Sequence, residues 1–182
     1  MNLTEQTLSQ SYAYKGAIIN MRVDEITLPN GKGASREVVE HPGGVCVAPL
    51  TDDGELLFVR QFRYPYKQVV LELPAGKKDK GEDPLICGIR ELKEETGATA
   101  DEIIEMGTLY PSPGYTDEII HLYFAKGLHF GDMNPDEDEF LEPIKIPLQK
   151  AVEMVMNGEI PDSKTQVLIL KIARIIANDG NM

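Results

Sequence analysis

The chain has 182 residues, with 30 acidic against 18 basic side chains and a formal net charge of −12. That length suits one domain of ordinary size with a small appendage and is ample for a hydrophobic core. The acidic balance argues against a nucleic-acid backbone or an anionic membrane as partner. No apolar run is long enough to span a bilayer, and the polar start Met1-Asn-Leu-Thr-Glu-Gln lacks the charged and apolar regions of a signal peptide. Cys46 and Cys87 sit in apolar contexts and read as buried free thiols, which fits a reducing cytoplasm.

In chain order, loose alternation from Tyr12, the turn Pro29-Asn-Gly-Lys-Gly33 and the run Arg36-Glu-Val-Val predict two or three antiparallel strands. Gly44-Val-Cys-Val-Ala-Pro-Leu, a turn at Asp52-Asp-Gly54 and Leu56-Leu-Phe-Val-Arg-Gln-Phe-Arg63 predict a further hairpin, and Val69-Val-Leu-Glu-Leu-Pro74 another strand. A helix is expected over 84–96, strands over 103–110 and 118–125, a short strand over 140–146, and helices over 148–157 and 163–178. The last carries apolar residues at Leu168, Ile169, Ile172, Ile175 and Ile176, the spacing of a one-sided core face. Strands interspersed with helices predict an α/β class with a mixed sheet.

The helix over 84–96 carries the chemistry. Asp83 suits the N-cap, Pro84 the first helical position and Gly97 a left-handed stop. At roughly 100° per residue, Glu94 and Glu95 fall within about 60° of Glu91, whereas Leu85, Ile89, Leu92 and Thr96 fall about 100–160° away. One side should therefore be apolar and the other a carboxylate cluster, with Gly88 beside the acids leaving room for close approach. Like charges at these spacings repel. Arg90 offsets part of this by pairing with Glu94, and a hard divalent cation offsets more, since Mg²⁺ takes oxygen ligands and keeps open positions for phosphate oxygens. A bound cation would also give local compensation to any anionic ligand approaching a chain of net charge −12.

The window Gly76, Glu82, Arg90-Glu91, Glu94-Glu95, Gly97 resembles the Nudix signature in register, with Ala98 a smaller residue than the usual final aliphatic. The resemblance implies an α/β/α sandwich over roughly residues 40 to 178 and divides the chain into an N-terminal β element, 1–39, and a hydrolase domain, 40–182. It implies Mg²⁺, with Mn²⁺ as the alternative, held by Glu91 and Glu95, assisted by Glu94 and by the backbone carbonyl of Ala75, with Arg90 orienting the glutamates.

Beyond the signature, Pro113 lies 16 residues after Gly97, and Leu71-Glu-Leu-Pro-Ala-Gly76, Arg60-Gln-Phe-Arg63 and Asp162-Ser-Lys-Thr165 all resemble the ADP-ribose pyrophosphatase branch of that family. That branch implies a homodimer in which the N-terminal strands complete the partner's site. Arg63 would contact the substrate, Glu72 the adenine or its neighbourhood, Arg36 the diphosphate of the partner subunit, and Ser112 and Glu118 the terminal ribose. In the acidic run Asp136-Glu-Asp-Glu139 the branch implies Glu137 as base for the attacking water and Glu139 as metal ligand or base, roles that the two could exchange. The expected reaction is hydrolysis of ADP-ribose to AMP and ribose 5-phosphate by in-line attack of a metal-activated water. Its rivals are a GDP- or UDP-sugar or a nucleoside triphosphate as substrate, and a nucleotide-sensing module without catalysis, which the intact signature disfavours.

Overall fold

The computed structural model describes residues 1–136 and 139–179. The chain forms two compact units, Met1–Gly43 with Tyr110–Ile119, and Gly44–Leu109 with Ile120–Met182.

The first unit is built on three antiparallel strands in the order β1 (Gln6–Lys15), β2 (Asn20–Thr27), β3 (Gly33–Glu40). The β2–β3 turn forms where the sequence indicates: Gly31 takes φ 81°, and its N–H donates to Leu28 O at 2.9 Å. Arg22 on the central strand bridges Asp24 at 3.0 Å and Glu40 at 2.5 Å, so this small sheet is tied by charge as much as by apolar packing. Residues 110–119 belong to the same unit because Val39 N–H donates to Tyr115 O at 2.7 Å and Asp117 N–H donates to Val39 O at 3.1 Å. Every residue of β1 is exposed.

The second unit contains two sheets. Strand β4 (Gly44–Pro49) runs parallel to β9 (Ile120–Phe130) and antiparallel to β7 (Ala75–Lys77), and β9 pairs with β8 (Ala98–Leu109), giving a mixed sheet β7-β4-β9-β8. Strands β10 (Leu141–Pro147), β5 (Glu55–Arg63) and β6 (Gln68–Glu72) form an antiparallel sheet in that order. The helices are α1 (Pro84–Thr96), α2 (Leu148–Met156) and α3 (Ser163–Asp179).

All six residues of β4 are buried, as both faces of a covered strand must be. Alternation sorts them: Cys46 and Ala48, with Leu122 and Phe124 of β9, face a core shared with Leu168, Ile169 and Ile172 of α3. Val45 and Val47, with Tyr123 and Ala125, face Cys87 and Leu92 of α1. The mixed sheet is thus covered on one face by α3 and on the other by α1, the α/β/α sandwich expected from the resemblance. Both cysteines are buried and free, and burial pushes the Cys87 thiol up to about 12. Among the described residues no helix is long and apolar enough to cross a membrane.

Several elements depart from the sequence reading. The hairpin expected over 44–63 does not form: β4 and β5 lie in different sheets, because β4 pairs with β7 and β9 and β5 with β6 and β10, and the turn between them is closed by the Leu50–Leu56 bridge. β9 runs to Phe130, five residues past the expected end, where it pairs with the start of β8. Ala75–Lys77 is a short strand rather than loop, because its backbone pairs with Gly44–Cys46. β8 begins at Ala98, five residues before the expected start, since Ala98–Ala100 pairs with Leu128–Phe130 despite the polar Asp101-Glu102 that follows. Ala98 is fully buried, so the small side chain occupies a core position.

Candidate active site

Helix α1 begins and ends as its caps dictate. Asp83 accepts from the N–H groups of Leu85 at 2.9 Å and Ile86 at 3.2 Å, Pro84 occupies the first turn, and Gly97 takes φ 69° while its N–H donates to Lys93 O at 2.8 Å. The face it buries, however, is only in part the expected apolar one: Leu92 and Thr96 are buried as expected. Glu91 and Glu95 are 6 % and 1 % exposed beside buried Cys87, Gly88 and Leu92, whereas Leu85 and Ile89 are exposed. The carboxylates point inward because they have polar work there that aliphatic side chains cannot do: Glu95 accepts from Ala75 N–H at 2.9 Å, and Glu91 accepts from Arg90 at 2.9 Å.

The expected place of Gly88 is corrected too. A Cβ there would lie 3.3 Å from Tyr123 and 3.4 Å from Val47, so Gly88 lets α1 approach the sheet and does not face the acids. The glycine against the acids is Gly76, where a Cβ would fall on the Glu91 carboxylate. Gly76→Ala should therefore displace a flexible side-chain end with little change in melting temperature while lowering turnover about 100-fold, the scale of an ångström-level misplacement. Thermal melts and steady-state rates of the variant check this.

Arg90 is the hub of the cluster. Its guanidinium reaches both oxygens of Glu82 at 3.0 Å, Glu91 at 2.9 Å and Glu94 at 2.8 Å, so the sequence-predicted Arg90–Glu94 pair is one arm of a larger fork. This hydrogen bonding holds the Glu82 carboxyl down at about 2. Sequence reasoning assigned Glu82 no role; the signal was its fixed place in the signature. Among the described residues no cation forms a salt bridge with Glu95, and burial pushes it up to about 8; burial likewise pushes Glu91 up to about 7, against the pull of Arg90. The negative charge of Glu139, on the loop before β10, adds to both shifts. The loop is anchored to the end of α1: Gly131 N–H donates to Gly97 O at 2.8 Å and Asn134 N–H to Glu94 O at 3.0 Å. Glu137 lies outside the described residues.

Arg63 and Glu72 meet at the other side of the site. Arg63 forks Glu72 through Nε at 2.6 Å and Nη2 at 2.7 Å, and its positive charge is felt by Glu95. Both residues line an open cavity of about 370 Å³, together with Tyr66 and Gln68 and with Asp162, Ser163 and Lys164 at the start of α3. Lys164 and Asp162, given no role from sequence, complete this charge cluster. The remaining predicted residues belong to the first unit. There Arg36 is paired with Glu5, Glu118 lies 3.4 Å from His41 Nδ1, and the Ser112 carbonyl accepts from Tyr115 and Thr116 N–H groups at 3.2 Å.

A divalent cation fits the residues of the second unit. Glu91 and Glu95 present buried carboxylate oxygens whose charge burial disfavours, and the Glu91 carboxylate lies against Gly76 in space that a Cβ there would take. Among the described residues no three His, Cys, Asp or Glu side chains are already drawn into a metal cage, as expected while Arg90 holds Glu94 and Glu82. An oxygen-only set of few protein ligands suits a hard ion that keeps waters and takes phosphate oxygens.

A model of the NUDIX domain matches residues 40–165. The chain belongs to the Nudix family. A model of the nucleoside diphosphate sugar hydrolase N-terminal domain matches residues 5–39 of this Nudix protein. It is 41% identical over 170 residues to an ADP-ribose pyrophosphatase of Bacillus subtilis (strain 168), covering 92% of each chain. It is 40% identical over 167 residues to a methanol dehydrogenase activator of Bacillus methanolicus, covering 91% of this chain and 90% of that one. Its fold matches a crystal structure of an ADP compounds hydrolase with a TM-score of 0.87 over the full length of both chains, at 19% identity. The protein is a Nudix pyrophosphohydrolase, and enzymes of this family generally need a divalent metal.

Proposed function

We propose that the protein hydrolyses the diphosphate of ADP-ribose to AMP and ribose 5-phosphate with Mg²⁺, as a cytoplasmic homodimer. The observation that carries this reading is the pair of buried carboxylates Glu91 and Glu95 on one face of α1, with the charge of Arg63, a residue that lines a cavity, acting on Glu95. The name of the Bacillus subtilis relative points to ADP-ribose as the diphosphate in question. Glu91 and Glu95 would hold the metal, with Glu94, Glu139 and the Ala75 carbonyl contributing further oxygens. When bound, the cation neutralises phosphoryl oxygens and makes a bound water a better nucleophile.

The chain's own residues supply the remainder. Arg90 keeps Glu91 and Glu94 oriented through its fork. Arg63 would offer its unused N–H groups to the diphosphate, and Glu72, which lines the cavity with it, would serve the adenine or its neighbourhood. The loop acid, Glu139 or Glu137, takes a proton from the attacking water. The N-terminal element, 1–39, serves as the dimerisation element of the hydrolase domain, 40–182. Its Arg36 reaches the partner's diphosphate, and Ser112 and Glu118 reach the terminal ribose.

A panel of ADP-ribose, GDP-mannose, UDP-glucose and nucleoside triphosphates with Mg²⁺, with products separated, tests the reading. ADP-ribose should have the highest kcat/KM and yield AMP. Preference for a guanine or uracil sugar would overturn the base assignment and favour the rival nucleoside diphosphate sugar. Binding of ADP-ribose without cleavage of any compound would favour the sensing module.

A further inference from the structure

The first turn of α3 is wired to the site by hydrogen bonds that no catalytic role explains. Lys164 Nζ lies 2.5 Å from Glu72 Oε2 and 2.9 Å from Asp162 Oδ1, with its side chain only 13 % exposed. Asp162 Oδ2 in turn caps the helix by accepting from Thr165 N–H at 3.0 Å, and Thr165 Oγ1, fully buried, accepts from Leu73 N–H at 2.9 Å. The residue after Glu72 is thus pinned through its backbone and Glu72 itself through its carboxylate, both from one helical turn about 90 residues away in sequence.

Glu72 is 3 % exposed at its side chain, and a buried carboxylate is tolerated only when its lone pairs are filled. Arg63 fills two positions side-on and Lys164 a third. Burial works against the Glu72 charge, yet Arg63 and Lys164 hold its carboxyl below the usual range. The side-on fork consumes Nε–H and one Nη2–H of Arg63 and turns the other N–H groups outward. If Glu72 were free to rotate, that aim would be lost.

We propose that Lys164 is a positioning residue: it locks the Glu72 carboxylate so that Arg63 presents a fixed set of donors to the substrate diphosphate. The assignment of Arg63 to the diphosphate rests on the function proposed above, whereas the locking of Arg63 by Lys164 does not. Removing Lys164 should loosen Arg63 without altering the metal site on α1, since none of its close partners is on that helix.

The test is a double-mutant cycle of Arg63→Met and Lys164→Met, read as KM and kcat on the nucleoside diphosphate sugar that wild type cleaves best, with Mn²⁺ affinity and the exchange rate of the Arg63 Nε–H measured in parallel. Lys164→Met should raise KM about tenfold with kcat within about threefold and Mn²⁺ affinity unchanged, and should add nothing to Arg63→Met, the non-additivity of a shared pathway. Arg63 Nε–H should exchange slowly in wild type and fast in Lys164→Met. Additive KM effects would mean that Lys164 touches substrate directly, and slow exchange retained in the variant would mean that Lys164 does not hold Arg63; either overturns the proposal. If Lys164→Met does not fold, Lys164→Gln, whose neutral amide is one bond too short to reach Glu72 as Nζ does, serves with the same directions of change and the same overturning results. A wild type that cleaves no such sugar would refute the proposed function alone, and the exchange measurement would still decide the positioning role.

Discussion

Glu95→Gln should leave a folded protein that turns over its substrate about 1,000-fold more slowly at saturating Mg²⁺, equivalent to about 4 kcal/mol of lost transition-state stabilisation. The two halves of this expectation have different causes. Glu95 is 1 % exposed, and burial has already pushed its carboxyl up to about 8, so its negative charge opposes folding at neutral pH. The amide of Gln is neutral and its oxygen can still accept from Ala75 N–H, the one hydrogen bond that Glu95 makes to the strand β7. Stability should therefore be equal or higher in the metal-free variant. Turnover needs the negative oxygen, which the amide lacks. Circular dichroism melts with and without Mg²⁺, alongside steady-state rates, separate the two; a Glu95→Gln enzyme within tenfold of wild type would remove Glu95 from the metal site.

The second large effect is a dependence of stability on pH that the metal should reverse. Glu91 and Glu95 titrate at about 7 and about 8 in the metal-free fold, against ordinary values near 4.5. Between those limits the folded state binds more protons than the unfolded one, so these two groups stabilise the fold fully below about pH 4.5 and lose that contribution as pH rises through 7 to 8. Carboxyls held low by partners, such as Glu82 at about 2, change only as pH falls below about 4.5 and stay silent in this window. In chelator, the melting temperature should fall by several degrees between pH 6 and 8, at roughly 2–4 °C per kcal/mol. A divalent cation binds the deprotonated pair, so added Mg²⁺ should raise the melting temperature more at pH 8 than at pH 6. In Glu95→Gln both the slope and the magnesium effect should shrink. Scanning calorimetry at the two pH values checks all three, and a metal-free protein that gains stability from pH 6 to 8 would contradict the assigned burial effect.

Local signals carried α1 from sequence to structure: Asp83, Pro84 and Gly97 act within four residues of where they stand, so its bounds were legible to the residue. Which face it buries was not. Periodicity ranks Leu85 and Ile89 as core, but the neighbours waiting for α1 are Ala75 N–H, the open backbone of Gly76 and the tight wall of Val47 and Tyr123, and these admit Glu95, Glu91 and Gly88 instead. β7 escaped notice for a related reason. Three residues carry no alternation, and only the pairing of Ala75–Lys77 with β4, about 30 residues earlier, makes them a strand.

The same distance argument covers Lys164, whose partner Glu72 ends β6 about 90 residues earlier; Asp162-Ser-Lys-Thr165 reads in sequence as a helix start that resembles the branch, with nothing to name that partner. Arg36, Ser112 and Glu118 were singled out through resemblance. The fold groups all three in the unit built on the N-terminal sheet, since residues 110–119 hydrogen-bond to β3.

A crystal structure of the protein with Mg²⁺ and a methylene-bridged, uncleavable analogue of ADP-ribose tests most directly whether the acids of α1 grip the diphosphate through metal. The expected result is at least one Mg²⁺ within about 2.0–2.2 Å of Glu91 and Glu95 oxygens, sharing a phosphoryl oxygen with the analogue. Magnesium bound elsewhere, with Arg90 still holding Glu91 and the analogue away from α1, would contradict it.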